Sequence, residues 1–237
     1  MKEPKSSALI VGAGAGLSAS LARLLRAEGY GIHLAARNVD KLSELASETD
    51  AAVHACDASD PAQVGVLFEA VPDPLKVVIY NPSQRVRGPL VDLDVEAVRK
   101  AVEVTAYGAF LVGQQAARRM LAQEPEEGCR GTILFTGASA GVKGFPQSAT
   151  FAMGKFAQRG LAQSMSRELH PQGVHVAWIN IDGGIRNSGR PERVDAQDNP
   201  DSMLDPDAIA ETYLSLIKQR RSSWSEEIAV RPWVERF

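Results

Sequence analysis

The stretch TFAMGK, residues 150–155, carries the frame of a proton-transfer site: an aromatic ring at Phe151 and an amine four residues on at Lys155. On a helix that spacing places both on one face. The ring has no hydroxyl, however, and can neither give up nor accept a proton. The pair is therefore either an active site without its central atom or an ordinary helix face. On the second reading Lys155, with Arg159 four residues later, is a solvated cation. The nearby hydroxyls of Ser139, Ser148 and Thr150 are poor acids at neutral pH. Tyr80 reads as core packing at a strand end, and His170 and His175 read as surface or sheet residues.

A second constellation lies near the N-terminus. ALIVGAGAGLSASLARLLRAEGY is a strand, a glycine turn and a helix, the context a dinucleotide fingerprint requires. Gly12 permits the tight turn, while Gly14 and Gly16 let the backbone approach a pyrophosphate whose charge the helix amides can bind. Glycine turns also serve purely as turns, but placement after the first strand of an alternating chain favours nucleotide binding. The second strand ends HLAARN, with Ala36 and then Arg37 where an acid would bond the ribose hydroxyls of NAD. An arginine there has bidentate donors suited to a 2′-phosphate, which favours NADP(H) over NAD(H). A solvated surface arginine is the other reading.

These residues need elements to hold them. Short β-rich runs at Ala8–Val11, Gly31–Ala35, Ala51–Ala55, Val77–Tyr80, Thr132–Phe135 and Val174–Ile181 alternate with helical patterns. The helices are expected at Ser18–Glu28, Pro61–Ala70, Val95–Leu121 and Thr150–Leu169, with a last one opened by Asp205 as cap and Pro206 as first residue. A late strand is expected at Glu227–Val230. Continuous apolar strands between helices indicate an α/β fold, a parallel sheet covered on both faces. Nothing resembling an interdomain linker interrupts residues 1–237, so one domain is expected, with its most loop-like stretch at Arg186–Asp205.

The 237 residues carry 26 Lys and Arg against 29 Asp and Glu, a formal net charge of -3 that gives no reason to expect nucleic acid as a partner. Cys56 and Cys129 are too few and too far apart for a disulfide framework or a zinc site, and fit a reducing cytoplasm. No apolar stretch is long enough to span a bilayer, and no signal peptide is apparent. A cytoplasmic protein with a small-molecule substrate is expected.

The glycine turn, CDASD after the third strand, VIYNPS at the fourth, FxxxK and INIDGGI together resemble the short-chain dehydrogenase/reductase family, in that family's order and over nearly the whole chain. The resemblance implies a Rossmann-type doubly wound sheet of about seven strands, a nicotinamide cofactor, and a homodimer or homotetramer. It implies that Asp57 contacts the adenine and that Asn81 and Pro82 lie beside the cofactor. Leu17, after the last turn glycine, and Ile185, after DGGI, join the implied cofactor-binding set, as does Lys155. Residues 186–204 then correspond to a mobile substrate lid.

Members of this family typically use Asn, Ser, Tyr and Lys. The tyrosine exchanges a proton as hydride moves, the lysine lowers its pKa and holds the ribose, the serine bonds the substrate oxygen, and the asparagine holds a water. Here Lys155 is retained, but Phe151 stands at the tyrosine position, Ala138 at the serine position and Thr105 at the asparagine position. Ser139 is one residue out of register and should point the other way. In the related enoyl reductase spacing the tyrosine position is Ser148. Ser18 replaces the last fingerprint glycine, and Gly183-Gly184 the usual Pro-Gly. Two readings follow: an NADP(H)-binding oxidoreductase homologue that turns over its substrate by an altered proton route or has lost its usual activity, or an inactive NADP(H)-binding homologue acting as a sensor or as a subunit of a mixed oligomer. Gly12, Gly14, Gly16, Arg37 and Lys155 together disfavour a structural homologue without cofactor. Arg186 and Arg190 either attract an anionic substrate or keep the lid soluble.

Overall fold

Runs of consecutive apolar residues can form strands only where both faces of a sheet are covered, and that is how they are used. The computed structural model describes residues 6–187 and 189–234. Its strands are β1 (Ser7–Val11), β2 (Gly31–Ala36), β3 (Ala52–Ala55), β4 (Leu75–Tyr80), β5 (Gly131–Thr136), β6 (Val174–Ile181) and β7 (Glu227–Val230). They form one sheet in the order β3-β2-β1-β4-β5-β6-β7, every neighbouring pair parallel. The chain leaves β1 in one direction for β2 and β3, and returns beside β1 at β4. That reversal opens a crevice at the carboxyl ends of β1 and β4, the place where such sheets bind ligands.

The helices are α1 (Leu17–Ala27), α2 (Ser43–Thr49), α3 (Pro61–Ala70), α4 (Val95–Val102), α5 (Gly108–Ala122), α6 (Ala149–Leu169) and α7 (Pro206–Ile217). Alternate strand residues feed two cores. Ile10, Leu34, Ile79 and Leu134 pack with Leu21 and Leu25 of α1 and Tyr213 of α7. On the other face Leu9, Val78, Ile133 and Val176 pack with Phe68 of α3, Val112 of α5 and Ala162 of α6. Asp60 caps α3 through Ala62 N and Gln63 N, and Asp205 caps α7 through Asp207 N, each with proline next in sequence. Among the described residues no helix is long and apolar enough to cross a membrane.

The largest departures from the sequence-based outline are at two places. The helix expected over Val95–Leu121 is interrupted by a π-helical turn, Glu103–Tyr107, between α4 and α5. The cause is tertiary: α6 presses on this turn at Gly154, where an added Cβ would stand 2.7 Å from the Cβ of Thr105. The hydroxyl of Thr105 meanwhile accepts a hydrogen bond from Gln84 N at 3.1 Å. Wide turns of this kind often mark functional positions. The short helix α2, SELASET, buries only Leu45 and Thr49. So few buried positions leave almost no helical periodicity to read. The strand expected from Ala51 starts at Ala52, β1 and β4 start one and two residues before their expected positions, β2 ends one residue later, and β5 is longer by one residue at each end.

Candidate functional site

The glycine turn is fixed from behind. Gly12 N and Ala13 N both donate to Ala35 O, at 2.8 and 3.0 Å. Gly12 has φ +78, and a Cβ there would lie 2.7 Å from the ring of Pro82, so only glycine fits. Gly14 is the opposite case, with no atom within 4 Å of where its Cβ would be. Gly16 opens α1 with no side-chain cap and no acid in the first turn, leaving that helix end available to an anion. Beneath the turn runs a polar chain. Ser18 Oγ donates to Gly12 O at 3.3 Å, and Asn81 Nδ2 donates to Ser18 Oγ at 2.8 Å. Thr136 Oγ1 donates to Asn81 Oδ1 and also meets Tyr213 Oη at 2.8 Å. Ser18, which replaces the last fingerprint glycine, thus braces the turn.

From the turn a cleft of about 300 Å³ runs toward β2 and β3, lined by Gly12, Ala13, Arg37, Asp57, Pro82 and Ser83, among others. Asp57 accepts from Ser59 N at 3.0 Å and Ser59 Oγ at 2.6 Å. Those bonds, with Arg37 adding less, hold its carboxyl below the usual range. Arg37 is exposed at the end of β2 and forms no salt bridge among the described residues. Its guanidinium could hold a phosphate at this end of the cleft.

On the other side of the turn lies a second cavity of about 300 Å³, where Gly14, Leu17, Asn81 and Ile185 meet Ala138, Phe151 and Lys155. Phe151 is packed into a small apolar cluster with Ala138 and Ala140. Lys155 is not a solvated cation: only 1% of it is exposed. Its Nζ donates to Thr136 O and, at 3.2 Å, to Gln158 Oε1, which also accepts from Trp178 Nε1 at 3.3 Å. Burial first, and then the charge of Arg85, lower its pKa from 10.5 to about 7. The ammonium lies 6.0 Å from the Phe151 ring centre, and the Arg85 guanidinium lies over that ring at 3.7 Å.

Residues 6–192 match the family model described as short chain dehydrogenase. The chain belongs to the short-chain dehydrogenase family. It is 32% identical to a short-chain dehydrogenase of Rhodopseudomonas palustris of known structure, with a TM-score of 0.79 over 96% of this chain and 98% of that one. An uncharacterised oxidoreductase of Staphylococcus aureus (strain N315) is 28% identical over 95% of this chain and 96% of its own. A Saccharomyces cerevisiae protein named NADPH-dependent 1-acyldihydroxyacetone phosphate reductase is 27% identical over 77% of this chain and 62% of its own.

In this family member the alternative hydroxyls do not line the Lys155 cavity. Thr150 is buried and clamps Val86, donating to its carbonyl at 2.9 Å and accepting from its amide at 3.1 Å. Ser139 and Ser148 line a separate cleft behind Phe151. Tyr80 is wholly buried, donates to Val104 O, and has its phenol pKa pushed up by burial. His175 is buried on β6 and stacked on Trp224 at 4.9 Å, with His170 edge-on at 5.5 Å, outside the cavity lining. Of the expected lid, 186–204, Ser188 lies outside the described residues. Arg186 is neutralised by Asp195 and Asp205, both at 2.8 Å, so it ties the loop together. Ile185 bridges Leu204, and Asn187 Nδ2 comes within 3.5 Å of the Cβ position at Gly16. Sequence reasoning missed Arg85, Thr136 and Gln158. Gln158 alone left a signal, three residues after Lys155 on one helix face.

Proposed function

We propose that this chain is an NADP(H)-binding oxidoreductase of the short-chain type whose usual proton donor has been replaced. The observation that carries the reading is the open glycine turn: Gly14 faces empty space, α1 is uncapped at Gly16, and Arg37, with no salt bridge among the described residues, stands at the far end of the adjoining cleft. Gly12, Gly14, Gly16 and Leu17 would hold the pyrophosphate, Asp57 the adenine side, and Arg37 the 2′-phosphate, while Asn81, Pro82, Lys155 and Ile185 would flank the nicotinamide half. A nicotinamide bound there supplies or accepts hydride. The dependence on NADPH in the yeast relative's name supports the preference.

Around the reacting end, the described lining residues include no phenol, imidazole or carboxyl, and Lys155 Nζ is held on Thr136 O and Gln158 Oε1. Phe151 and Ala138 make an apolar wall where an alkoxide would need a hydrogen bond and a proton, contributions typically worth about 10²- to 10⁴-fold. The same apolar cluster favours a second reading, a homologue that binds NADP(H) without turnover and acts as a sensor or within a mixed oligomer. A cytoplasmic setting is part of the proposal, resting on the two free thiols. So is self-association: Tyr107 and Phe110 on one helical run, and Met153 and Phe156 on α6, are exposed apolar groups suited to a second copy.

Titration with NADPH and NADH, followed through tryptophan fluorescence, tests the binding. Saturable binding about 10-fold or more in favour of NADPH is expected, the preference collapsing in Arg37→Ala. Equal affinities that Arg37→Ala leaves alone would remove the NADP(H) assignment. A carbonyl and enone screen at the NADPH absorbance, with the Ala138→Ser/Phe151→Tyr variant alongside, separates enzyme from binder. Brisk turnover by the native chain that the double replacement slows would establish an altered proton route. Turnover appearing only in the variant would establish loss of activity.

A further inference from the structure

The cavity that meets Phe151 and Lys155 carries an unusual balance of charge. Arg85, Arg186, Arg190, Arg193 and Lys155 line it, and among the described residues no Asp or Glu does. A second cleft of about 340 Å³ shares the wall formed by Arg85 and Phe151 and adds Arg87, again without a carboxylate. Elsewhere arginines sit on acids: Arg23 on Glu48, Arg119 on Asp73, Arg159 on Glu227. Arg186 does so too, through Asp195 and Asp205. Arg85, Arg87, Arg190 and Arg193 form no salt bridge among the described residues.

Arg85 is the centre of this group. Its guanidinium lies over the Phe151 ring at 3.7 Å, a contact with the negative face of the ring that holds it in place. Its pKa is lowered, first by burial and then by the like charges of Arg87 and Arg193. Such an arrangement costs stability unless an anion completes it. Solubility does not require it, because a cation kept only for solvation gains nothing from facing two other cations. A planar guanidinium matches a carboxylate or a phosphate through two parallel hydrogen bonds.

The geometry points to an anionic substrate: a small molecule whose carboxylate or phosphate lies against Arg85, flanked by Arg87 and Arg193, with its reactive carbon toward the Phe151–Ala138 wall. This deepens the proposed function and rests on it, since the cofactor fills the Gly14 end of the same cavity. The probes are inorganic phosphate and malonate, with dimethyl malonate as the neutral control, titrated calorimetrically into protein already saturated with NADPH. One or both anions bind saturably in the millimolar range and dimethyl malonate does not, and which anion binds tells phosphate from carboxylate. Arg85→Gln and Arg193→Glu each weaken that binding about 10-fold or more, Arg85→Lys by less, and Arg118→Gln, on the exposed face of α5, leaves it unchanged. NADPH affinity in Arg85→Gln stays within about 2-fold of the native value, which separates this site from the cofactor's. If NADPH binds but neither anion does, or if Arg118→Gln weakens the anion as much as Arg85→Gln, the anionic substrate is wrong and the cofactor reading stands. If NADPH itself does not bind, both fall.

Discussion

Two ends of one crevice, meeting at Thr136, are built on different principles. Toward the glycine turn the side chain of Thr136 joins a line of polar groups, Tyr213, Asn81 and Ser18, that ends on Gly12 O, each bonded to the next. Toward the helix α6 the carbonyl of the same residue takes Lys155 Nζ, which also donates to Gln158 Oε1, and beyond it stand Phe151, Ala138 and Ala140, with arginines at the rim. A satisfied polar network fixes a backbone in one geometry. An apolar wall with unpaired cations does the reverse: it leaves charge to be completed from outside. On the proposed reading, the frame is kept where a nucleotide would lie and changed where the family's usual acid would act.

The harshest way to break the comparison is at the turn. Gly12→Val puts a branched side chain at φ +78 with its Cβ 2.7 Å from the Pro82 ring. The backbone strain costs about 1–3 kcal/mol and the overpacking about as much again. Chemical denaturation should show that loss, and NADPH affinity should fall on the order of 100-fold or more as the turn shifts. If NADPH binds Gly12→Val normally, the turn is not the rigid end of the crevice.

A smaller effect is expected at Lys155, with the opposite sign. Its pKa falls from 10.5 in an exposed lysine to about 7 in the folded chain. Between those values the unfolded chain holds the proton more tightly, so the penalty is complete below about pH 7 and is relieved as pH rises toward 10.5. Lys155→Met should therefore be more stable than the native chain at pH 6. A gain of roughly 2–4 kcal/mol is expected, less than the full linkage because the bonds to Thr136 O and Gln158 Oε1 leave with the amine. The gain should shrink steadily by pH 10. A Lys155→Met protein less stable than native at pH 6 would mean that this end, too, is a satisfied polar network.

How much of this could be read beforehand follows the same division. The turn glycines and the helix they open are contiguous in sequence, so their type and spacing sufficed, as did the Asp205-Pro206 cap and the last strand. Phe151, Ala138 and Thr105 were legible as departures from a pattern. That Phe151 and Ala138 would pack together was not, because their contact joins the end of β5 to α6. The burial of Lys155 was hidden for a similar reason: one partner is a backbone carbonyl, which carries no residue signature. Arg85 sits in an irregular loop after β4, where no periodicity marks which arginine faces inward. Ser18 was legible only as a lost glycine, since the hydroxyl's partners, Gly12 O and Asn81, come together through the fold.

The mildest change tests whether the polar line and the nucleotide surface are one unit. Tyr213 is wholly buried, and its hydroxyl meets Thr136 Oγ1 at 2.8 Å, while its ring packs with the α1 core. Tyr213→Phe keeps the ring and removes only that bond. Thr136 still has Asn81 as partner, so the expected cost is about 1 kcal/mol, read as a lower urea midpoint with an unchanged slope. NADPH affinity should stay within about 2-fold, because Tyr213 reaches the turn only through three intervening side chains. A 10-fold loss of NADPH affinity in Tyr213→Phe would show the line acting as part of the binding surface, so that the rigid end of the crevice extends to α7. No change in stability at all would mean that the turn is held by its bonds to Ala35 O and its packing on Pro82 without help from this network, and the contrast between the two ends would then rest on the backbone.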